Sequence, residues 1–376
     1  MKVRRISMII ALVFLTIFSI AAFSIQAEAA YKIGVIISTT GKYGSLGQDE
    51  KDAMLLLVDK INKSGGIRGN KLDLIIEDDE TNAAKAGSLA RKLITEENVV
   101  AIIGSTGAEC SHIVAIECEK RKIPMVYFVP TISVMEGKRW VFNVTPSAEI
   151  DTRATYRAIT KVLKKKKVGI LYDSNEYGTE LKNLMVKVGK EKGDIEVVAA
   201  ETYQKGDSDL KPHLIKIKNK GADVLYLAGT VPTPAIAVRN FRELGMDVPI
   251  VGCGGIVNTG FIKLGKEAVE GVYGIARLNY GDPLPEEKEL FEAIRAKFNV
   301  VPSSFHANGW QALQIVARAM SVAGDDPNGI RDALENTKGF KGVIGEYNMT
   351  PKDHNGLNEE CLSIVRIQNG VWNTVK

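Results

Sequence analysis

The stretch Val99-Val-Ala-Ile-Ile-Gly-Ser-Thr106 decides the fold, because the pattern around it occurs twice in the chain. This apolar run ends in small polar residues, and helical spacing over 108–122 and a second apolar run at 124–128 follow it. Ala222-Asp-Val-Leu-Tyr-Leu-Ala-Gly-Thr230 is followed in the same way by a helix over 233–244 and a strand over 249–252. Strands that alternate with helices of this length are typical of βαβ units in a parallel sheet. The sequence therefore predicts an α/β protein.

The residues before each of these runs extend the repeat. Before the first run, the patterns predict strands over 31–37 and 71–76 and helices over 48–63 and 82–96. Before the second run, they predict strands over 167–172 and 195–200 and helices over 177–190 and 208–219. The two halves match in pattern and not in residue identity. We therefore predict two lobes of similar architecture in tandem, each a doubly wound parallel sheet.

The alternation stops after residue 280. Helical patterns over 286–298, 305–322 and 329–337 precede a strand-like ending over 361–373. Such a tail can cross back to the first lobe and return to the second, which gives two or three hinge strands. No Gly/Ser-rich or Pro-rich connector lies near the predicted lobe boundaries, which favours a packed hinge. The predicted parts are the first lobe over 31–147, the second over 148–277, a return to the first over 278–345, and completion of the second lobe and hinge over 346–376.

The N-terminus has the features of a targeting segment. Lys2, Arg4 and Arg5 precede an uncharged stretch over 6–25, which ends in Ala27-Glu28-Ala29. A basic start, an apolar middle and a small-x-small ending predict a cleavable signal peptide over 1–29 and a periplasmic protein. The alternative is an uncleaved membrane anchor, because a stretch of this length can span a bilayer. The small-x-small ending, with a strand directly after it, favours cleavage.

Composition excludes several classes of protein. The 376 residues are 45% hydrophobic and 25% charged, which is typical of a globular protein and argues against disorder. The length suits two domains better than one. A formal net charge of +4, scattered along the chain, is too small for a nucleic-acid surface, so no nucleic-acid partner is expected.

No catalytic or metal motif is present. There is no Cys-x-x-Cys pair, nucleophile elbow or phosphate-binding loop, and the four histidines are dispersed. Cys110 and Cys118 lie about 12 Å apart along a predicted helix, too far to form a disulfide. Asp78-Asp79-Glu80 is interpreted as a solvated strand end in preference to a metal cluster. We therefore expect no cofactor and no enzyme activity, with most of the cysteines buried as free thiols.

Two loops are the best candidates for ligand binding. In open parallel sheets, ligands bind beyond the carboxyl ends of the strands, where helix N-termini offer unpaired N–H groups to a carboxylate. Gly104-Ser-Thr-Gly-Ala108 and Pro130-Thr-Ile-Ser133 occupy such positions. The alternative is that their hydroxyl groups only cap helices. Position in the sequence does not separate these two interpretations.

Many short motifs in a common order resemble the periplasmic branched-chain amino acid binding proteins, the Liv-type substrate-binding components of ABC importers. They extend over nearly all of 31–376 and include Ile33-Gly-Val35, Thr40-Gly-Lys-Tyr-Gly44, Ile61-Asn-Lys-Ser-Gly-Gly-Ile-Arg-Gly69, Asp78-Asp79, Arg91-Lys-Leu-Ile94, Ala101-Ile-Ile-Gly104, Ile123-Pro124, Glu176-Tyr-Gly178 and Leu244-Gly245. The resemblance implies the type I periplasmic binding protein fold, with two lobes that close over a small molecule. It also implies delivery to an inner-membrane ABC permease with ATPase subunits, and a monomer is expected.

The family's binding pocket can be placed on this sequence position by position. By resemblance, the loop that receives the ligand carboxylate is formed by Thr106, Gly107 and Ala108. The carbonyl and the hydroxyl that contact the ammonium and the carboxylate fall on Thr131 and Ser133. The remaining wall positions are Tyr43 after the first strand, Tyr177 and Thr230 in the second lobe, and Phe305 in the returning segment.

One position departs from the family pattern. The acidic residue that pairs with the ligand ammonium in amino-acid binders aligns with Gly254. An ammonium buried without an anion is costly, so another acid must serve, and Glu109 beside the carboxylate loop is the nearest candidate. Either the ligand is a branched-chain or related amino acid in a rearranged site, or it lacks an α-amino group. Aromatic or aliphatic carboxylates and small amides belong to the second class.

Two other classes of function remain as alternatives to transport. The same fold occurs in the extracellular domains of receptors and in amide-sensing regulators, so the chain could sense its ligand. An exported α/β enzyme would require a nucleophile, and the sequence offers none.

Overall fold

The structure, a computed structural model, describes residues 30–204 and 206–375. The expected signal peptide lies outside the described residues. In the part of the chain that is described, no helix is long and apolar enough to span a membrane. The four cysteines are free thiols, and three of them are buried: Cys110, Cys118 and Cys253.

The first lobe is built on a five-stranded parallel sheet in the order β2-β1-β3-β4-β5. Its central strands are apolar because helices cover both faces of the sheet. The strands are β1 (Tyr31–Ile37), β2 (Leu72–Asp78), β3 (Ala101–Gly104), β4 (Met125–Tyr127) and β5 (Val141–Asn143). The helices that follow β1, β2 and β3 are α1 (Gly44–Lys63), α2 (Ala83–Thr95) and α3 (Ala108–Arg121).

The second lobe repeats this order. Its parallel strands run β7-β6-β8-β9-β10, and an antiparallel hairpin of β13 and β14 extends the sheet beyond β10. The strands are β6 (Lys167–Asp173), β7 (Glu196–Tyr203), β8 (Val224–Ala228), β9 (Ile250–Gly252), β10 (Tyr273–Ala276), β13 (Ser363–Gln368) and β14 (Val371–Thr374). The helices are α4 (Ala148–Arg157), α5 (Glu176–Lys192), α6 (Lys211–Asn219), α7 (Thr233–Glu243) and α8 (Thr259–Gly265). The prediction of two doubly wound lobes is confirmed.

The chain returns to the first lobe before it completes the second. The returning elements are α9 (Pro285–Phe298), α10 (Ser304–Ala323), α11 (Pro327–Glu335) and a short hairpin of β11 (Phe340–Lys341) and β12 (Glu346–Tyr347). Helix α10 packs closely on α1, since a Cβ added to Gly309 would lie 2.2 Å from the carbonyl oxygen of Glu50. A glycine is therefore required at this crossing.

The returning segment stays with the first lobe beyond residue 345, where the sequence placed its end. The Tyr347 hydroxyl donates to the carbonyl oxygen of Val144 at 2.6 Å. The Asn355 side chain donates to the carbonyl of Thr145 at 2.8 Å. The chain thus passes between the lobes after β5, after β10 and before β13.

Candidate functional site

A cavity of about 70 Å³ lies between the lobes and is lined by residues of both. Its walls follow β1 and β3 in the first lobe and β6 and β8 in the second. These strand pairs are the points at which strand order reverses, where doubly wound sheets bind ligands. At roughly 10–15 Å³ for each water, the cavity has room for about five to seven waters. A small organic molecule is the ligand of matching size.

The structure brings most of the predicted site residues to this cavity. Those that line it are Tyr43, Thr106, Gly107, Ala108, Glu109, Thr131, Tyr177, Thr230 and Phe305. Ser133 and Gly254 are not among the lining residues. Direct contacts with a ligand remain predictions for each of these side chains.

The N-terminus of α3 is the clearest anion-binding feature. Gly107 occupies its N-cap position and makes no side-chain cap hydrogen bond. In contrast, Asn82, Ser147 and Asn175 cap α2, α4 and α5 with their side chains. Unpaired N–H groups and the helix dipole at such a terminus favour a carboxylate. Side-chain capping, the alternative that the sequence left open for this loop, does not occur at α3.

The Thr106 hydroxyl holds the 104–108 loop in place. It accepts a hydrogen bond from the backbone N–H of Ser38 at 3.1 Å and donates to Oε2 of Glu50 at 2.6 Å. Burial raises the pKa of Glu50 well above its ordinary 4.5. Because both hydrogen bonds lie within the protein, the Thr106 side chain positions the loop.

Asp79 holds the same loop in place. The prediction that this residue lies at a solvated strand end was wrong. The side chain is buried, with none of its surface exposed. Its Oδ1 accepts a hydrogen bond from the Ser38 hydroxyl at 2.6 Å, and its Oδ2 accepts one from the Ser105 hydroxyl. The carboxylate thus ties β1 and the loop after β3 to the end of β2.

Tyr43 packs over the α3 terminus. A Cβ added to Gly107 would lie 2.9 Å from Cε2 of the Tyr43 ring and 3.1 Å from Oε2 of Glu109. Glycine is therefore needed for this approach, although the Gly107 backbone is ordinary extended chain. Burial raises the pKa of the Tyr43 hydroxyl above its ordinary value, and Asn175 of the second lobe hydrogen-bonds to it.

Asp151 occupies the space beside Gly254. The Gly254 N–H donates to Oδ2 of Asp151 at 2.8 Å, and a Cβ at position 254 would lie 2.9 Å from the same oxygen. The Tyr177 hydroxyl lies 3.5 Å from it. Burial raises the pKa of Asp151 to about 6, opposed by the Gly254 hydrogen bond and the charge of Arg277. An acidic residue is therefore present next to Gly254, but it is Asp151 of α4 and not the residue at position 254 itself.

Thr131 and Ser133 are engaged by other groups. The Thr131 carbonyl oxygen accepts a hydrogen bond from the buried Tyr127 hydroxyl at 3.1 Å. The Ser133 hydroxyl donates to Oε1 of Glu176, in the second lobe, at 2.8 Å. Nε2 of His112 lies 3.4 Å from Oε2 of Glu176. The pair predicted for an ammonium and a carboxylate thus supplies an internal contact and a contact between the lobes.

Sequence reasoning missed several lining residues. They are Leu46, Phe128, Val129, Asn175, Glu176, Gly255, Arg277 and Asn308, whereas Pro130 belongs to the 130–133 loop predicted from the sequence. Arg277 directly follows β10, so the rule that ligands bind at strand ends was a signal that could have found it. Asn308 carries no local signal, because it lies within α10 and reaches the site only when that helix returns to the first lobe.

Two lobes of the same doubly wound order, three chain crossings and a cavity between them are the architecture expected of a solute-binding protein. A family model described as periplasmic binding protein matches residues 30–371, and the chain belongs to that family. It is of the Liv type and has the type I periplasmic binding protein fold. The family is one of solute-binding proteins and not of enzymes, and its members work with a membrane permease.

The chain is similar to named amino-acid binders over nearly its whole length. The Leu/Ile/Val-binding protein BraC3 of Rhizobium johnstonii is 27% identical over 94% of this chain and 96% of its own. The Leu/Ile/Val-binding protein of Escherichia coli is 26% identical over 84% of this chain and 85% of its own. The branched-chain amino acid transporter substrate-binding protein LivJ of Streptococcus pneumoniae, solved with isoleucine, is 25% identical. It superposes with a TM-score of 0.83 over 93% of this chain and 100% of its own.

Proposed function

We propose that this protein captures a small carboxylate-bearing solute between its lobes and delivers it to an inner-membrane ABC permease with ATPase subunits. A branched-chain or related amino acid is the first candidate, which the relatives' names support. The protein would act in the periplasm as a monomer after removal of residues 1–29. The observation that carries the proposal is the uncapped N-terminus of α3 on a cavity that both lobes line.

Capture would proceed in two steps. The ligand carboxylate first docks on the backbone N–H groups of the 106–108 loop, which Thr106 and Gly107 hold in place. The second lobe then closes with Tyr177 over the ligand. The contact of Ser133 with Glu176 at 2.8 Å is one of those that would form on closure. A permease that prefers the closed form senses loading, to the extent that the ligand favours that form.

The second candidate is a ligand without an α-amino group. Position 254 is a glycine and supplies no acid. Glu109, the nearest acid beside the carboxylate loop, is exposed to solvent. A buried acid, Asp151, does lie beside position 254, but it accepts the Gly254 N–H at 2.8 Å and is not among the residues that line the cavity. An ammonium on the second-lobe side would therefore find no buried carboxylate on the cavity wall, which is unfavourable in a closed cavity.

A thermal-shift screen tests the proposal. The purified protein is unfolded and refolded to remove bound ligand, then heated with amino acids, small amides, and aliphatic and aromatic carboxylates. Ligand at a hundredfold its dissociation constant stabilises the folded state by about 2.7 kcal/mol, a shift of several degrees. Stabilisation by leucine, isoleucine or valine supports the first candidate, and stabilisation only by compounds without the amine supports the second. A panel without any stabilising compound would contradict capture of such solutes.

Isothermal titration and uptake separate binding from transport. Titration of each stabilising compound gives its affinity and a stoichiometry, for which we expect one ligand for each chain. Cells that lack the gene for this protein should lose uptake of that compound. Unchanged uptake would contradict delivery to a permease and would favour a sensing role.

A further inference from the structure

Arg277 is a buried arginine at the cavity, and one of its donors has no acceptor among the described residues. Only 5% of its surface is exposed, and it lines the cavity from the second lobe directly after β10. Among the described residues, its Nε has no hydrogen-bond partner. In the same part of the chain, no carboxylate lies within ion-pair distance of its guanidinium. The site thus holds a buried guanidinium with at least one donor, Nε, that the described residues leave without an acceptor.

The nearby acid, Asp151, interacts with this charge without forming an ion pair with the guanidinium. Asp151 feels the charge of Arg277, but its Oδ2 accepts the Gly254 N–H at 2.8 Å and lies 3.5 Å from the Tyr177 hydroxyl. A guanidinium stays protonated at all ordinary pH values and carries five N–H donors. A buried donor without an acceptor is costly, so a bound group that supplies oxygen atoms would relieve the cost.

The other unpartnered polar atoms of the cavity point to the same chemistry. The Thr131 hydroxyl in the first lobe and the Thr230 hydroxyl in the second have no hydrogen-bond partner among the described residues. Both residues line the cavity. A guanidinium only donates, whereas a hydroxyl both donates and accepts, so all three groups can bind the oxygen atoms of a carboxylate. The two carboxylates of the lining, Glu109 and Glu176, are exposed to solvent. The enclosed part of the cavity is thus rich in donors and poor in anions.

We infer that Arg277 receives a second acidic group of the ligand, so that the solute is a small dicarboxylate with one carboxylate on the α3 terminus and the other on Arg277. This inference rests on the proposed function and narrows its ligand class. The planar fork of a guanidinium matches a carboxylate with two parallel hydrogen bonds. A cavity with room for a few waters suits a short diacid.

Matched ligand pairs test the inference in the wild-type protein. Succinate is compared with butyrate, glutarate with valerate, and glutamate with norvaline, by isothermal titration of the refolded chain. Each pair has the same carbon chain and differs by the second carboxylate. We expect the diacid to bind about 10- to 100-fold more tightly than its partner, as for a charge-assisted hydrogen bond. The glutamate pair also shows whether an amine is tolerated.

The Arg277→Met variant should remove this preference. Its diacid affinity should fall to that of the monoacid, while monoacid affinity changes little. Arg157→Met is the matched control, since Arg157 lies in the same lobe, outside the cavity, and bonds to the Glu359 carbonyl at 3.2 Å. It should leave ligand preference unchanged.

The outcomes separate the inference from the proposed function. If monoacids or leucine bind as tightly as diacids, and Arg277→Met changes neither, the inference is wrong while solute capture stands. If no compound of the panel binds the wild-type chain, both fail. If Arg277→Met does not fold, the wild-type ligand pairs still decide, because equal affinities within each pair overturn the inference without any variant.

Discussion

Replacement of Asp151 by Asn should stabilise the empty protein at neutral pH. The carboxyl is 2% exposed, accepts the Gly254 N–H at 2.8 Å and lies beside the Tyr177 hydroxyl. Burial raises its pKa from an ordinary 3.8 to about 6. Asn has nearly the same shape and keeps an oxygen for the Gly254 N–H, but it carries no charge at any pH.

The sign and the size of the effect follow from linkage. Because the pKa of Asp151 is higher in the folded state than in the unfolded chain, the folded state binds this proton more tightly. Its contribution to stability is therefore most favourable below pH 4, falls as the pH rises from about 4 to 6, and is constant above. The difference between 3.8 and about 6 corresponds to about 3 kcal/mol lost at pH 8. Asp151→Asn should recover an amount of that order.

Urea unfolding at pH 4, 5, 6 and 8 measures the effect. The free energy of unfolding of Asp151→Asn, minus that of the wild type, should be near zero at pH 4 and rise to about 3 kcal/mol at pH 8. The variant is compared with the wild type at each pH because burial also raises the pKa of Asp49 to about 6, and this contribution is the same in both proteins. Asp247→Asn is the control, since Asp247 is exposed on the surface.

A difference that is negative at pH 8, or constant across the pH range, would refute this reasoning. Either result would mean that the charge of Arg277 compensates Asp151 fully and that the two form a stabilising pair. It would also weaken the inference that Arg277 binds an acidic group of the ligand. The same experiment thus bears on the stability of the second lobe and on the chemistry of the cleft.

Two further predictions concern the cleft. Gly107→Ala should weaken ligand binding about tenfold or more with little loss of stability, because its Cβ would lie 2.9 Å from the Tyr43 ring while its backbone suits alanine. Unchanged affinity in titration would mean that Tyr43 does not cover the ligand. Ser133→Ala removes the 2.8 Å hydrogen bond to Glu176 and should weaken binding about two- to tenfold, with more of the open form in small-angle scattering. Equal affinity and equal scattering would show that this contact does not favour closure.

The elements and their order could be predicted because they depend on local spacing. The predicted helix over 233–244 is observed as Thr233–Glu243, and the apolar run over 222–230 contains the strand Val224–Ala228. The strand-like ending over 361–373 is a hairpin of two strands, since Asn369 and Gly370 adopt positive φ between them. The loops after β3 and β4 were found for the same reason, since strand ends can be predicted from the apolar runs, whereas Tyr43, Tyr177 and Thr230 were placed by the family resemblance.

The amino-acid sequence was therefore enough to predict two tandem lobes, the two loops at the cleft and membership of the family. Tertiary structure alone decided where the charges lie. Asp79 is buried beneath the 104–108 loop, Asp151 occupies the space beside Gly254, and Arg277 is buried at the cavity. The contact between Gly254 and Asp151 joins residues 103 positions apart in the sequence. Local periodicity carries no information about such pairs, because the burial of a charge depends on which distant segments pack around it.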